Sequence, residues 1–160
     1  MKTSDRAATA HKPHTYRTAT MWSSGLSGTL SAPGKPELQV STPPEFKGEG
    51  AHWTPEEMFV AAVEVCHMAT FMSYAAARRV AVLWYVSHAN GVLEYVDGDY
   101  RFTRIVIFPT ITVPGSTEES QVHTILREAQ KHCLVANSIA SIVEVNPTII
   151  VQPRARASAE

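Results

Sequence analysis

The stretch Trp53-Thr54-Pro55-Glu56-Glu57-Met58-Phe59-Val60-Ala61-Ala62-Val63-Glu64-Val65-Cys66 decides how the chain folds. It reads as a complete helix start: Thr54 is the N-cap, Pro55 stands at the first helical position where its missing N–H costs nothing, and Glu57 completes a capping box. The helix is expected to run to about Arg79. Phe59, Ala62, Val63, Cys66 and Thr70 recur at three and four, which places Cys66 on the stripe of core residues. From Met58 to Ala77 the chain is apolar almost throughout, and Arg78 and Arg79 follow, as at the end of a membrane span. Glu64 and His67 argue against a span, because an ionisable pair near the centre of a bilayer is costly. The reading is a soluble helix surrounded by protein. His67 lies about 100° round the helix from Cys66 and is assigned no role.

Upstream, Tyr16 to Trp22 alternates as a strand does, and short strands are expected at Gly28–Leu30 and Glu37–Val40 around a Pro33-Gly34-Lys35-Pro36 turn. Ser41 to Gly50, with two prolines and two glycines, reads as an extended loop. Downstream, Val80 to Val86 reads as a strand joined through an Ala89-Asn90-Gly91 turn to a second strand, Val92 to Val96. After Asp97-Gly98-Asp99 comes a long strand with Ile105, Ile107, Ile111 and Val113 on one face. Pro114-Gly115 ends it, and Ser116 or Thr117 is expected to cap a second helix with Glu118 and Glu119 in its first turn. That helix turns Val122, Ile125, Leu126 and Ala129 inward and delivers Cys133, with His132 a polar residue at its end. One last strand is expected over Ile142 to Val151. The result is an α+β domain over residues 15–152, with a disordered polar arm at 1–14 and a polar tail at 153–160.

Composition narrows the function. Of 160 residues 44% are hydrophobic and 18% charged, and 14 basic against 15 acidic side chains give a net charge of -1. Such a chain buries a core and sets up no field for nucleic acid or anionic lipid, so neither nucleic acid nor membrane is expected as a partner. The first dozen residues hold no apolar run of secretory type, and a cytoplasmic location is expected. The seven histidines form no His-Glu-x-x-His, and no CxxC, phosphate-binding glycine loop or GxSxG occurs, so neither metal nor bound cofactor is expected. Two cysteines remain, Cys66 and Cys133. They are either inert thiols filling the core or a redox pair.

Ser41-Thr42-Pro43-Pro44-Glu45 followed by Trp53 to Cys66 resembles the segment that leads to the reactive cysteine of the OsmC/Ohr family, the osmotically inducible and organic hydroperoxide resistance proteins. Ala129-Gln130-Lys131-His132-Cys133-Leu134-Val135-Ala136-Asn137-Ser138 resembles that family's second cysteine segment. The similarity covers residues 15 to about 151. It implies two antiparallel sheets of about three strands each around a long central helix with the first cysteine, a second helix carrying the second, and an intertwined homodimer. It also implies a thiol peroxidase. Cys66 attacks an organic hydroperoxide and becomes a sulfenic acid, Cys133 condenses with it to a disulfide, and an external dithiol such as a lipoyl protein reopens that bond. Glu56 matches the acid that in the family holds an activating arginine.

Ten residues of helix separate Glu56 from Cys66 by about 15 Å, so the two cannot meet on one helix. Two copies packed antiparallel bring Glu56 of one chain towards Cys66 of the other, which predicts a homodimer. One departure stands out. The place of the family's arginine falls near Gly25, in Ser23-Ser24-Gly25-Leu26-Ser27, and Arg17, Arg78 and Arg79 all read as solvated charges. The chain is therefore expected in a divergent OsmC-like branch. Without an activated thiolate, the alternative is a dimer that binds a small apolar ligand in its interface cavity.

Overall fold

The computed structural model describes residues 12–153; the rest of the expected arm and tail, 1–11 and 154–160, lies outside the described residues. The chain divides into two compact units, one up to Pro55 and one from Glu56 onward.

In the first unit β1 (Ala19–Ser24), β2 (Ser27–Ser31) and β3 (Leu38–Ser41) form an antiparallel meander in the order β1-β2-β3. The Pro33–Pro36 turn joins the last two, as its residues require. The loop after β3 is less extended than expected, because Pro44–Phe46 makes one turn of 3-10 helix. It then returns on β3. Ser41 donates its N–H to the Trp53 carbonyl (3.0 Å) and Trp53 donates to that of Gln39 (3.1 Å). All six residues of β1 are exposed, Met21 at 70% and Trp22 at 73%.

The second unit is built on α1 (Pro55–Ala77), β4 (Trp84–Val96), β5 (Asp99–Pro114), α2 (Glu119–His132), β6 (Ile142–Val145) and β7 (Thr148–Gln152). Helix α1 begins where Thr54-Pro55 predicts and ends in a Schellman motif: Val80 N–H bonds the Ala75 carbonyl (2.9 Å) and Arg79 N–H that of Ala76 (3.0 Å). Arg79 takes the left-handed conformation this requires (φ 56°). The chain then turns before β4, so residues 80–83 are not strand.

Three expectations are corrected here. Ala89-Asn90-Gly91 is not a turn; it lies inside β4, and the hairpin is made at Asp97 (φ 54°) and Gly98 (φ 91°). Gly91 serves another purpose, because a Cβ there would stand 2.4 Å from Cγ2 of Val60 on α1 and 2.8 Å from Cε1 of Phe102. The glycine lets helix and sheet approach. Second, the last apolar run is two strands broken at Asn146-Pro147, and both pair parallel with β5, giving a mixed four-stranded sheet instead of an antiparallel one of three. Helix α2 is the crossover that makes parallel pairing possible. Third, α2 is capped by Glu118, whose carboxylate and Gln121 form a reciprocal capping box, and not by Ser116 or Thr117.

On the face of β5, Ile105, Ile107, Pro109, Ile111 and Val113 are fully buried. Pro109 is tolerated in this central strand because it falls between the β6 pairing, which ends at Ile107, and the β7 pairing, which starts at Thr110. The core has two parts. Phe71 and Ala75 of α1 pack with Ile111, Val113 and the inward face of α2, Val122, Ile125, Leu126 and Ala129. Val63 packs with Ile105 and Ile107, bordered by Phe59, Val135, Ala136 and Ile139.

Candidate redox site

The buried stripe of α1 is Val63, His67, Phe71 and Ala75, a strict four-residue spacing. Cys66 is therefore not in the core stripe, as the three-and-four pattern suggested, but about 100° away from His67 and half-buried at its border. That rotation turns it towards the end of α2. There Cys133, the C-cap residue, is 1% exposed. The two cysteines are free thiols, near enough for each to shift the other's titration.

The chain after Cys133 folds into a tight turn. Asn137 N–H bonds the Cys133 carbonyl (2.9 Å) and Ser138 N–H that of Val135 (3.0 Å). The Asn137 side-chain amide reaches back to the Lys131 carbonyl (2.9 Å), and the Ser138 hydroxyl donates to that of Leu134 (2.7 Å). The Val135 and Leu134 amides act on the titration of Cys66, and those of Ala136 and Val135 on that of Cys133.

The two thiols are driven apart as a result. Burial pushes Cys66 up, but the Val135 amide, the Cys133 thiol, the Leu134 amide and the Thr70 hydroxyl together outweigh it and bring its pKa below the ordinary value of 9.0. Thr70 has one proton for two acceptors, the Cys66 carbonyl at 2.8 Å and the sulfur, and serves one at a time. Burial pushes Cys133 up to about 11, and the neighbouring Cys66 adds to the effect. Of the two, Cys66 is the thiol that gives up its proton more readily.

Glu56 is not brought to the cysteines. It lies in the first turn of the same unbroken helix, with Oε2 buried and unpartnered. Arg78 lies over the Tyr74 ring at 5.6 Å, and Gly25 sits in the β1–β2 turn. His132 is exposed, stacks on Tyr74 at 5.8 Å and pairs with Glu128 at 3.6 Å. Among the described residues no three His, Cys, Asp or Glu side chains gather to hold a metal ion.

The sequence reading missed the turn itself, since amide directions leave no mark in composition. It also passed over His67, which is 1% exposed with both ring nitrogens unpartnered and its pKa lowered by burial. Its place at the midpoint of a Val63–Phe71 spacing was the available signal. Glu64, beside it, accepts a hydrogen bond from Ser87 on β4 at 2.6 Å.

Residues 48–148 match the family model described as OsmC-like protein. The chain belongs to this family. Solved structures agree with the OsmC-like assignment. An OsmC-like protein of unknown function from Vibrio cholerae is 25% identical with a TM-score of 0.79, covering 84% of this chain and 99% of that one. An organic hydroperoxide resistance protein OsmC from Legionella pneumophila is 19% identical with a TM-score of 0.69 (88% and 100% covered). An organic hydroperoxide resistance protein from Elizabethkingia anophelis, with thiocyanate bound, is 15% identical with a TM-score of 0.70 (88% and 99% covered). None of the curated proteins compared matches the chain. At these identities the hydroperoxide resistance proteins share the α+β fold of this OsmC-like chain.

Proposed function

We propose that this OsmC-like protein reduces organic hydroperoxides with Cys66 as the peroxidatic and Cys133 as the resolving cysteine. The observation that carries the reading is the pair itself: a half-buried thiol whose pKa is lowered, beside a buried thiol whose pKa is raised. Cys66 thiolate attacks the outer peroxide oxygen, the O–O bond breaks, and the alcohol leaves with a proton as Cys66 becomes a sulfenic acid. The Cys133 sulfur then displaces hydroxide from it, giving the disulfide and water. An external dithiol, of the lipoyl type, returns both thiols by exchange. An apolar hydroperoxide suits the near-neutral chain and the half-buried Met58 and Phe59 early in α1.

The working unit in this proposal is a cytoplasmic homodimer. Helix α1 is long and apolar enough to cross a membrane, and only 22% of its most apolar window is buried. Ala62, Val65 (57% exposed), Ala69, Ser73 and Ala76 lie open along it at helical spacing. A second α1 packed antiparallel would cover them and bring the partner's Glu56 towards Cys66.

The test is to mix reduced protein with cumene hydroperoxide and count thiols. Wild type is expected to lose both, Cys133→Ser to lose one and stop at the sulfenic acid, and Cys66→Ser to lose none. Unchanged thiols in wild type at millimolar peroxide overturn the proposal.

A further inference from the structure

A resolving cysteine must bring its sulfur to about 2.05 Å from the first, with the two Cβ atoms roughly 3.5–4.5 Å apart, so whatever holds the end of α2 decides whether Cys133 can serve. A helix terminus holds a residue weakly, because its last carbonyls lack partners within the helix and its last turn frays. The body of α2 is fixed by Ile125, Leu126 and Ala129, which pack with Phe71 and Ala75 of α1. The last turn lies beyond that packing, with Lys131 and His132 exposed while Cys133 turns inward to 1% exposure. Side chains from neighbouring elements meet this turn. The Gln130 amide donates to the Val143 carbonyl of β6 (3.0 Å). The His132 ring stacks on that of Tyr74 in α1, with centroids 5.8 Å apart and 28° between the planes.

Cys66, Thr70 and Tyr74 follow one another at four-residue steps, each turned about 40° from the last, so they form one slowly winding row along α1. The half-buried Tyr74 ring also carries the Arg78 guanidinium, 5.6 Å from its centre, and Glu128 pairs with His132 at 3.6 Å. The ring thus joins the row that holds Cys66 to the residue directly before Cys133. We infer that Tyr74 is a positioning residue for the resolving cysteine: by stacking on His132 it holds the end of α2 so that Cys133 stays within reach of Cys66. This rests on the cysteine-pair reading above. Tyr74 acts through His132 and the main chain and takes no part in the chemistry itself. Stack and disulfide ask for the same placement of the helix end, so each favours the other, and removing the stack weakens the disulfide.

The experiment is equilibration of the full chain with mixtures of reduced and oxidised glutathione, acid-quenched and scored by intact mass. The S–S bond of oxidised glutathione breaks, the Cys66–Cys133 bond forms, and the two thiol hydrogens leave on two molecules of reduced glutathione. Tyr74→Leu and His132→Leu should each lower the equilibrium constant about two- to tenfold, the range an aromatic pair is worth. Tyr74→Phe keeps the ring face and should keep the wild-type value. His132 is exposed, so His132→Leu decides the matter where Tyr74→Leu does not fold. Val122→Ala, in the core of α2 and away from its end, is the control for general loosening and should leave the constant in place. An unmoved constant in the folded leucine variants, an equal drop in Tyr74→Phe, or an equal drop in Val122→Ala overturns the inference. A wild type that forms no Cys66–Cys133 disulfide overturns it together with the cysteine-pair reading. Because the exchange uses no peroxide, the expected pattern in a protein inert to hydroperoxide would sink the peroxidase reading alone.

Discussion

Replacing His67 by leucine should stabilise the protein and flatten its response to acid. The ring is 1% exposed between the two parts of the core, and neither nitrogen has a partner. A buried polar group left unsatisfied costs about 1–3 kcal/mol, whereas an apolar replacement of similar volume costs less than about 1.5 kcal/mol in packing. The balance favours His67→Leu by roughly 1 kcal/mol at pH 7.5. The pH term adds to this. Burial lowers the folded-state pKa of His67 below 6.5, so as pH falls through 6.5 the unfolded chain takes up a proton that the folded chain refuses. Stability is therefore lost from pH 6.5 downward to the folded-state pKa, with a limiting slope of about 1.4 kcal/mol per pH unit, and above 6.5 the residue contributes no slope. Urea unfolding followed by circular dichroism at several pH values, at one protein concentration, measures both effects. The pairs His52–Glu49, His123–Glu119 and His132–Glu128 are common to both proteins and cancel in the difference. Parallel pH slopes in wild type and His67→Leu would refute the reasoning.

Two further predictions concern the backbone. Gly91→Ala sets a methyl group 2.4 Å from Val60 and should cost about 1–3 kcal/mol in thermal unfolding, with part recovered in the Gly91→Ala, Val60→Ala double variant. No recovery would mean that the glycine is needed for some other reason. Arg79→Gly relieves a left-handed residue at the end of α1 and should raise stability by about 1 kcal/mol; a loss would show that the arginine side chain matters more than its φ of 56°.

Much of this could be read along the chain because local chemistry dictated it. Thr54-Pro55 starts a helix under almost any tertiary arrangement, and Val122, Ile125, Leu126 and Ala129 have one way to face inward. The failures share a cause as well. Ala89-Asn90-Gly91 carries a turn signal, but Gly91 answers to Val60 across the helix–sheet contact, a residue about thirty positions away. Ile142 to Val151 is apolar throughout, and only the return path of α2 makes it two parallel strands. Placing Cys66 on the core stripe counted Phe59, Ala62 and Thr70 as buried, when Val63 and Phe71 define the stripe and His67 fills it. It was the resemblance that singled out Cys66, Cys133 and Glu56 as site residues. The tight turn after Cys133 had no counterpart in residue types, because it is closed largely by main-chain bonds.

The contact between the two thiols bears on how such a site would survive excess oxidant. A sulfenic acid exposed to more peroxide goes on to sulfinic and sulfonic acids, which thiols do not reverse. Where the second thiol lies far off, a segment must unfold before it arrives, and that delay exposes the intermediate to further attack. Here Cys133 is near enough to Cys66 for each to shift the other's titration in the reduced protein. In the proposed cycle, condensation would be an intramolecular step with a high effective concentration. Under the proposed function, a pair arranged in this way would suit bursts of oxidant better than sensing them by inactivation.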